Sequence, residues 1–486
     1  MRARRRPPAR PSASRGRLRS AVALTALALA GGIALIAGVG AAVDVPPRTL
    51  GPYLQHRVSD HHPVVAGAGE RIARLLEQLD RGDARSAGLP RLRVGAQPEA
   101  VASEHGGRTV AVGSAEEAVL ALERVRAGDV LTFEPGVYRF KAALAARQAG
   151  EPNAPIVVRA ARPATVTLEF ETTEGFVVSA PHWVFENLTL RGVCEQHGDC
   201  EHAFHVVGGA TQFVARNNTL TDFNSHIKVN GQDGRFPDGG LVEGNTLANS
   251  SVRRTDQPVT PIDLVAASRW TVRRNVIADF VKAGGDRISY GAFAKGGGTH
   301  NRFEANAVLC EAVLRGAPGW RVGLSLGGGG TGHDHCRDGR CITEQESSVI
   351  ESNLVASCSD DGIYVNRAAM SRVVHNTLLD TGGISVRFPQ SSADVAGNLV
   401  DGAIRMRDGG LLHAEDNLET GIVPLYFGHH PQRALYRNAA ALDLAWRDAT
   451  PRRRGTTGSA PDLCGAARGS APAYGAIEDF SACLLR

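Results

Sequence analysis

A chain of 486 residues with a formal net charge of only +4 lacks the basic excess of a nucleic-acid binder. No basic stripe interleaved with aromatics is present, so a nucleic-acid partner is excluded. The 56 glycines, the recurrent Val and Ile and the three methionines suit many short strands joined by tight turns.

Residues 1–43 form a basic n-region followed by an apolar segment. Arginines fill positions 2, 4, 5, 6, 10, 15, 17 and 19, and Ser20 to Val43 runs without a charge. Secretion machinery reads such a segment, and residues 20–43 are long enough to cross about 30 Å of hydrocarbon. They serve as an uncleaved inner-membrane anchor or as a signal cleaved near Gly40-Ala41-Ala42. Either way the body is exported, to the periplasm or the outside. Eight cysteines in an exported chain favour disulfides over metal sites. Cys194 and Cys200 bracket a short loop, as do Cys336 and Cys341. Cys464 and Cys483 share the tail, and Cys310 and Cys358 fall at the same point of two similar segments.

Residues 44–113 read as a helical and irregular lead-in. Positions 44–66 look irregular, and Gly69 to Leu79 has apolar residues at helical spacing. Ser114 and Glu117 form a capping box that opens a second helix, ending near Ala127-Gly128. The strand VLTFEP follows at once.

From there to about residue 430 the chain repeats. Each unit is a strand running into an asparagine and two or three apolar residues. The aligned asparagines are Asn187, Asn218, Asn245, Asn275, Asn306, Asn353, Asn376 and Asn398. A period in the twenties with a turn asparagine signals stacked coils, and stacked amides bond to one another and to backbone inside the turn. Residues 114–430 are therefore read as an all-β solenoid, a right-handed parallel β-helix of about ten coils with the helix at its N-terminal end. Residues 431–486 read as an irregular, disulfide-tied tail.

A second strand follows each asparagine strand, for example HIKVN, PIDLV, GAFAK, GIYVN, GISVR and AIRMR. Apolar second and fourth residues point inward, leaving two outward columns spaced about 4.8 Å per coil. One column holds Lys228, Asp263, Phe293, Ser325, Tyr364, Ser385 and Arg405. The other holds Asn230, Val265, Lys295, Gly327, Asn366, Arg387 and Arg407. The long interval from Asn306 to Asn353 contains a glycine-rich insertion, 327–346, expected to hang over this face and wall a groove.

The stretch from Gly128 to about Gly410 resembles the pectin-lyase-like β-helix superfamily. Its opening, AGDVLTFEPGVYRF…EPNAPIVVRA, is similar to the first coil of chondroitinase B and alginate lyases, and CEHAFHVVG, SYGAFAKGGG, GLSLGGGGTG and CSDDGIYVNRAA look like a narrower group of exported bacterial β-helix proteins. The resemblance implies an anionic polysaccharide as partner and lyase chemistry, with Lys295 at the position of the Brønsted base. Gly327 stands where that family has an arginine, and Tyr290 where it has a calcium carboxylate. No metal and no cofactor are therefore expected.

Read from their chemistry, Lys295 takes the C5 proton of a uronate, Tyr364 protonates the leaving oxygen and Arg387 holds the carboxylate. Lys228, Asn230, Asp263, Asn366, Arg405 and Arg407 are expected to contact substrate. Of these, Asp263, Lys295, Tyr364, Asn366 and Arg387 should share a patch about three coil steps long. Two alternatives stand beside this reading. One is a non-catalytic glycan-binding or envelope-structural β-helix. The other is a polygalacturonase-like hydrolase using Asp360 and Asp361 as acid and base. His333, His335, Glu344 and Glu346 lack a strong metal-ligand spacing. A monomer is expected.

Overall fold

The computed structural model describes residues 44–58, 62–82, 92–328, 330–454 and 460–484, besides the isolated Gly31 and Gly38. The segment 20–43 expected to act as anchor or signal thus falls, but for those two glycines, outside the described residues. Among the described residues no helix is long and apolar enough to cross a membrane.

Three parallel sheets of twelve, ten and eleven strands run side by side from Thr109 to Glu419. The chain visits them in turn, and each strand pairs in parallel with its counterpart one coil on, as in Val214–Arg216 on Leu241–Glu243. This is a parallel β-helix. Alternation along each strand sends one set of side chains inward. There Phe176, Phe185, Phe204 and Phe213 pack ring on ring in the N-terminal half, with centroids 4.8–5.7 Å apart. Ile350, Val365, Val373 and Ile384 fill the C-terminal half.

The corner between the twelve- and eleven-stranded sheets is turned by one left-handed residue. Asn217, Arg274, Ala305, Ser352, His375 and Asp416 have φ between 51° and 57° there. This region is costly for residues other than glycine, and the next residue offsets the cost. From Asn218 to Asn417 each ladder amide Nδ2 donates to the next asparagine Oδ1, at 2.9–3.0 Å. Each also donates to a carbonyl of the preceding coil, as Asn353 does to Phe303 at 2.8 Å. Two assignments shift relative to the sequence pattern. Asn187 sits in the left-handed position itself, and Leu188 takes the ladder place, its N–H donating to Asn218 Oδ1. Asn417, hidden in the polar strand Leu411–Glu415 and its turn, extends the ladder by one coil.

Helix α1 (Pro47–Val58) occupies a stretch expected to be irregular, and α2 (Pro63–Arg81) extends the expected helix at both ends. They pack together, and Leu50, Leu54 and Leu76 cover Ala403, Ile422 and Tyr426 at the C-terminal coils. Helix α3 (Ala115–Arg124) has Ser114 accepting from the Glu117 N–H, while the Glu117 carboxylate accepts from the Gly113 N–H. It packs against the first coils. The tail is less irregular than its composition suggests. Leu463, Ile477 and Phe480 bury the outer face of the eleven-stranded sheet at Val276, Leu309 and Leu354. All eight cysteines are paired, as 194–200, 310–358, 336–341 and 464–483. Such pairing fits an oxidising compartment.

Replacing Asn353 by Ala orphans the buried Asn306 N–H, which it accepts at 2.9 Å, and the Phe303 carbonyl. At about 1–3 kcal/mol per orphaned group, equilibrium denaturation should show a loss of about 3 kcal/mol. Asn187→Ala, outside the ladder, should cost about 1 kcal/mol.

Candidate functional site

Strand register places Lys228, Asp263, Phe293, Ser325, Tyr364, Ser385 and Arg405 in one outward column of the ten-stranded sheet. Lys295 lies opposite Val265 in the second column, where Asn366, Arg387 and Arg407 also pair in sequence. Asp263 and Arg387 are four coil steps apart, roughly 19 Å, not three. The residues singled out in the sequence therefore fall at three stations along one face rather than in one patch.

At the upper station Lys228 Nζ is paired with Asp263 at 2.7 Å, and Asn230 Oδ1 meets His205 Nε2 at 2.7 Å. His205 Nδ1 is 2.6 Å from Glu174 Oε1, which holds the Glu174 carboxyl below its usual range. His202 lies against His205, and burial pushes it down to about 4. These groups are engaged with one another.

At the middle station Lys295 is half-buried, its Nζ 4.4 Å from the centroid of the Phe293 ring. The glycine-rich insertion packs against its stem. A Cβ at Gly328 would stand 2.8 Å from Lys295 Cδ, and Arg337 clamps the insertion to Asp238 with bonds of 2.7 and 2.8 Å. No open space lies beside Gly327. Gly327 has φ +73°, and the Asn366 carbonyl occupies the place a side chain would need. A backbone approach this close accounts for glycine at that position. Asn366 itself is buried. Glu344 accepts from Gly330 N at 3.0 Å and from Thr331 Oγ1 at 2.7 Å, and His333 Nδ1 contacts the Gly339 carbonyl at 3.1 Å. The insertion thus holds its own polar groups.

The lower station is a groove of about 590 Å³ lined by Tyr290, Trp320, Asp360, Asp361, Tyr364, Arg387, Arg405, Arg407 and Asp408. Its wall is not the insertion but the lead-in, Asp44 to Thr49. Arg387 donates from Nη1 to Tyr364 Oη at 3.4 Å and pairs through Nε with Asp408. Arg405 is buried. It pairs with Asp361 at 2.7 Å and donates to Ser385 Oγ and the Asp44 carbonyl, both at 3.1 Å. It is therefore a structural clamp and not the free sugar contact expected of it. Arg407 has no ion-pair partner among the described residues. Trp320 is 41% exposed at the rim. Burial, reinforced by the Asp361 charge, pushes the Asp360 carboxyl up to about 6. Burial also raises the hydroxyls of Tyr290 and Tyr364, so both stay protonated.

Tyr364, Arg387, Arg405 and Arg407 thus come together, while Lys295, Lys228, Asn230 and Asp263 lie higher on the face. Trp320 and Asp44 carried no sequence signal. Trp320 precedes the alternating segment of its strand, and Asp44 reaches the groove only because the lead-in docks.

No family model and no curated protein matches the chain. Among solved structures it is similar to an alginate lyase from Paenibacillus sp. str. FPU-7, at 12% identity and TM-score 0.36, covering 64% of this chain and 95% of that one. It is also similar to a pectate lyase, at 15% identity and TM-score 0.42, covering 78% and 97%. A rhamnogalacturonan lyase aligns at 13% identity and TM-score 0.38, covering 65% and 87%.

The raised Asp360 carboxyl has a pH signature in stability. Between the ordinary 3.8 and about 6 the folded state holds a proton that the unfolded state releases. Stability should therefore fall as pH rises through that window, by about 3 kcal/mol at most. Asp360→Asn should flatten the slope in denaturation midpoints measured from pH 4 to pH 7.

Proposed function

We propose that this is an exported, carbohydrate-active β-helix protein, working as a monomer, that takes an acidic polysaccharide along the ten-stranded sheet. It cleaves the polymer by β-elimination in the groove around Tyr364. The observation that carries this reading is Tyr364 Oη held on the Arg387 guanidinium beside the raised Asp360 carboxyl, in one groove. Export is supported by the arginine-rich start, by the charge-free run 20–43 acting as signal or anchor, and by the four disulfides.

The chemistry balances within the groove. Arg407, which has no ion-pair partner among the described residues, holds the uronate carboxylate and acidifies the C5 proton. Asp360, ionised above about pH 6, takes that proton; a partly desolvated carboxylate is a stronger base than an exposed one. The electron pair forms the C4–C5 double bond and the C4–O4 bond breaks. Tyr364 gives its proton to O4, and the Arg387 N–H stabilises the phenolate that forms. Trp320 offers an apolar platform for a neighbouring sugar. Lys295 is three coil steps from Arg387, roughly 14 Å. In this reading it contacts the same polymer several units away instead of acting as base.

A hydrolytic reading is favoured by one observation, that Asp361 lines the same groove as Asp360. Protonated Asp360 would then act as acid and Asp361 as base. The two readings differ in sign. Elimination should rise as pH increases through about 6, and hydrolysis should fall there.

Incubation with polyuronates and glycosaminoglycans should generate the ultraviolet absorbance of the unsaturated uronate. Tyr364→Phe and Asp360→Asn should each lower kcat by about 10²-fold or more. Lys295→Ala should mainly raise KM. Binding without any turnover would leave the groove as a glycan-binding site and sink the enzymatic reading.

A further inference from the structure

We infer that Glu174, His202 and His205 form a site for a divalent transition-metal ion of the zinc type at the upper end of the ten-stranded sheet. One ligand atom from each residue lies within 4.8 Å of the other two. Bonds of about 2.0–2.1 Å at a tetrahedral angle bring ligand atoms to roughly 3.3 Å, within reach of small side-chain rotations. Two imidazoles and a carboxylate match the preference of such ions, and three protein donors leave a position open for water or an anion.

The surrounding contacts are those a ligating histidine needs. Asn230 Nδ2 donates to the Gly231 carbonyl at 3.0 Å, which turns its Oδ1 toward His205. His205 Nε2–H donates to that oxygen, leaving Nδ1 to face Glu174 at 2.6 Å. An outer hydrogen bond of this kind fixes the tautomer and orients the ring. The ion would sit between Nδ1 and the Glu174 carboxylate, in place of their direct contact. His202 Nδ1 is buried with no hydrogen-bond partner. Lys228, a neighbouring cation, is paired with Asp263 at 2.7 Å, and Glu201, 3.6 Å from His202 Nε2, adds a second carboxylate.

The other cysteine- and acid-containing group, Cys336, Asp338 and Cys341, is closed by its disulfide and offers no thiolate. The Glu174 site lies five coil steps above Tyr364, about 24 Å, and stands independently of the chemistry proposed there.

The test uses the untagged full-length chain, stripped with chelator, incubated with Zn²⁺ and desalted. Elemental analysis should find one zinc per chain, and Co²⁺ in its place should give visible ligand-field absorption. Zn²⁺ should raise the unfolding midpoint of the stripped protein. His202→Ala, His205→Ala and Glu174→Gln should each weaken zinc binding by at least tenfold in competition with a chromophoric chelator. Wild-type protein that retains less than a stoichiometric amount of zinc and gives no Co²⁺ spectrum overturns the proposal without recourse to a variant. Zinc bound equally well by all three variants overturns it too, since the ion would then sit elsewhere.

Discussion

From Asn218 to Asn417 each coil turns the same corner on a left-handed residue, and the asparagine that follows makes the corner tolerable. Asn245 illustrates the arrangement: its Nδ2 reaches back to the Ala215 carbonyl at 2.9 Å and forward to Asn275 Oδ1 at 3.0 Å. Both contacts run along the solenoid axis, so each amide locks two coils in register. A slip of one residue would orphan the amide and turn every inward side chain outward. The outward columns on the ten-stranded sheet inherit their alignment from this ladder, although none of their residues touches it.

Register was legible because strand alternation has a strict period of two. The column from Lys228 to Arg405 could be written from the sequence, and pairings such as Tyr364 opposite Ser385 follow it. Matching coils on asparagine alone failed at Asn187, where two successive positions both tolerate the residue: the left-handed turn and the ladder. Asn417 escaped because its strand, LLHAE, lacks an apolar inner face. Three-dimensional proximity was harder to read. The columns say which residues share a face but not what covers it. The insertion packs against the Lys295 stem and is tied down by Arg337 and Asp238, a contact between segments 99 residues apart, and no local pattern announces it.

The arginines show why like residues on one face need not behave alike. Arg405 lies deep enough that its charge requires a partner, and Asp361 and the Asp44 carbonyl supply one. Arg387, nearer solvent, divides its donors between Asp408 and Tyr364. Arg407 sits one coil below Arg387 in the same column and forms no ion pair within bonding distance among the described residues. Asp408 and Asp361 are engaged by Arg387 and Arg405, which leaves Arg407 at the lower lip of the groove. In sequence the three look equivalent, and burial distinguishes them.

The groove is completed from outside the repeat. Asp44 to Thr49 line it, and the adjoining Arg48 fastens that segment to the solenoid. Arg48 is 3% exposed, bonds to the Asp80 carboxylate through its backbone N–H and its Nε at 3.0 Å, and donates to the Cys358 carbonyl at 2.7 Å. Asp380 receives Arg48, Arg81 and Arg315, and Arg433 donates to the Asp80 carbonyl at 2.8 Å. Buried charges this closely matched contribute little net stability. Removing one partner is expensive, because it strands the others. The network therefore acts as a lock. It holds the lead-in in a single place against the C-terminal coils and thereby fixes the wall beside Asp360 and Arg405. A segment outside the repeat, fastened through its helices, these ion pairs and the bonds of Arg405 and Tyr426 to its backbone, thus decides the shape of the groove that the repeat builds on one side alone.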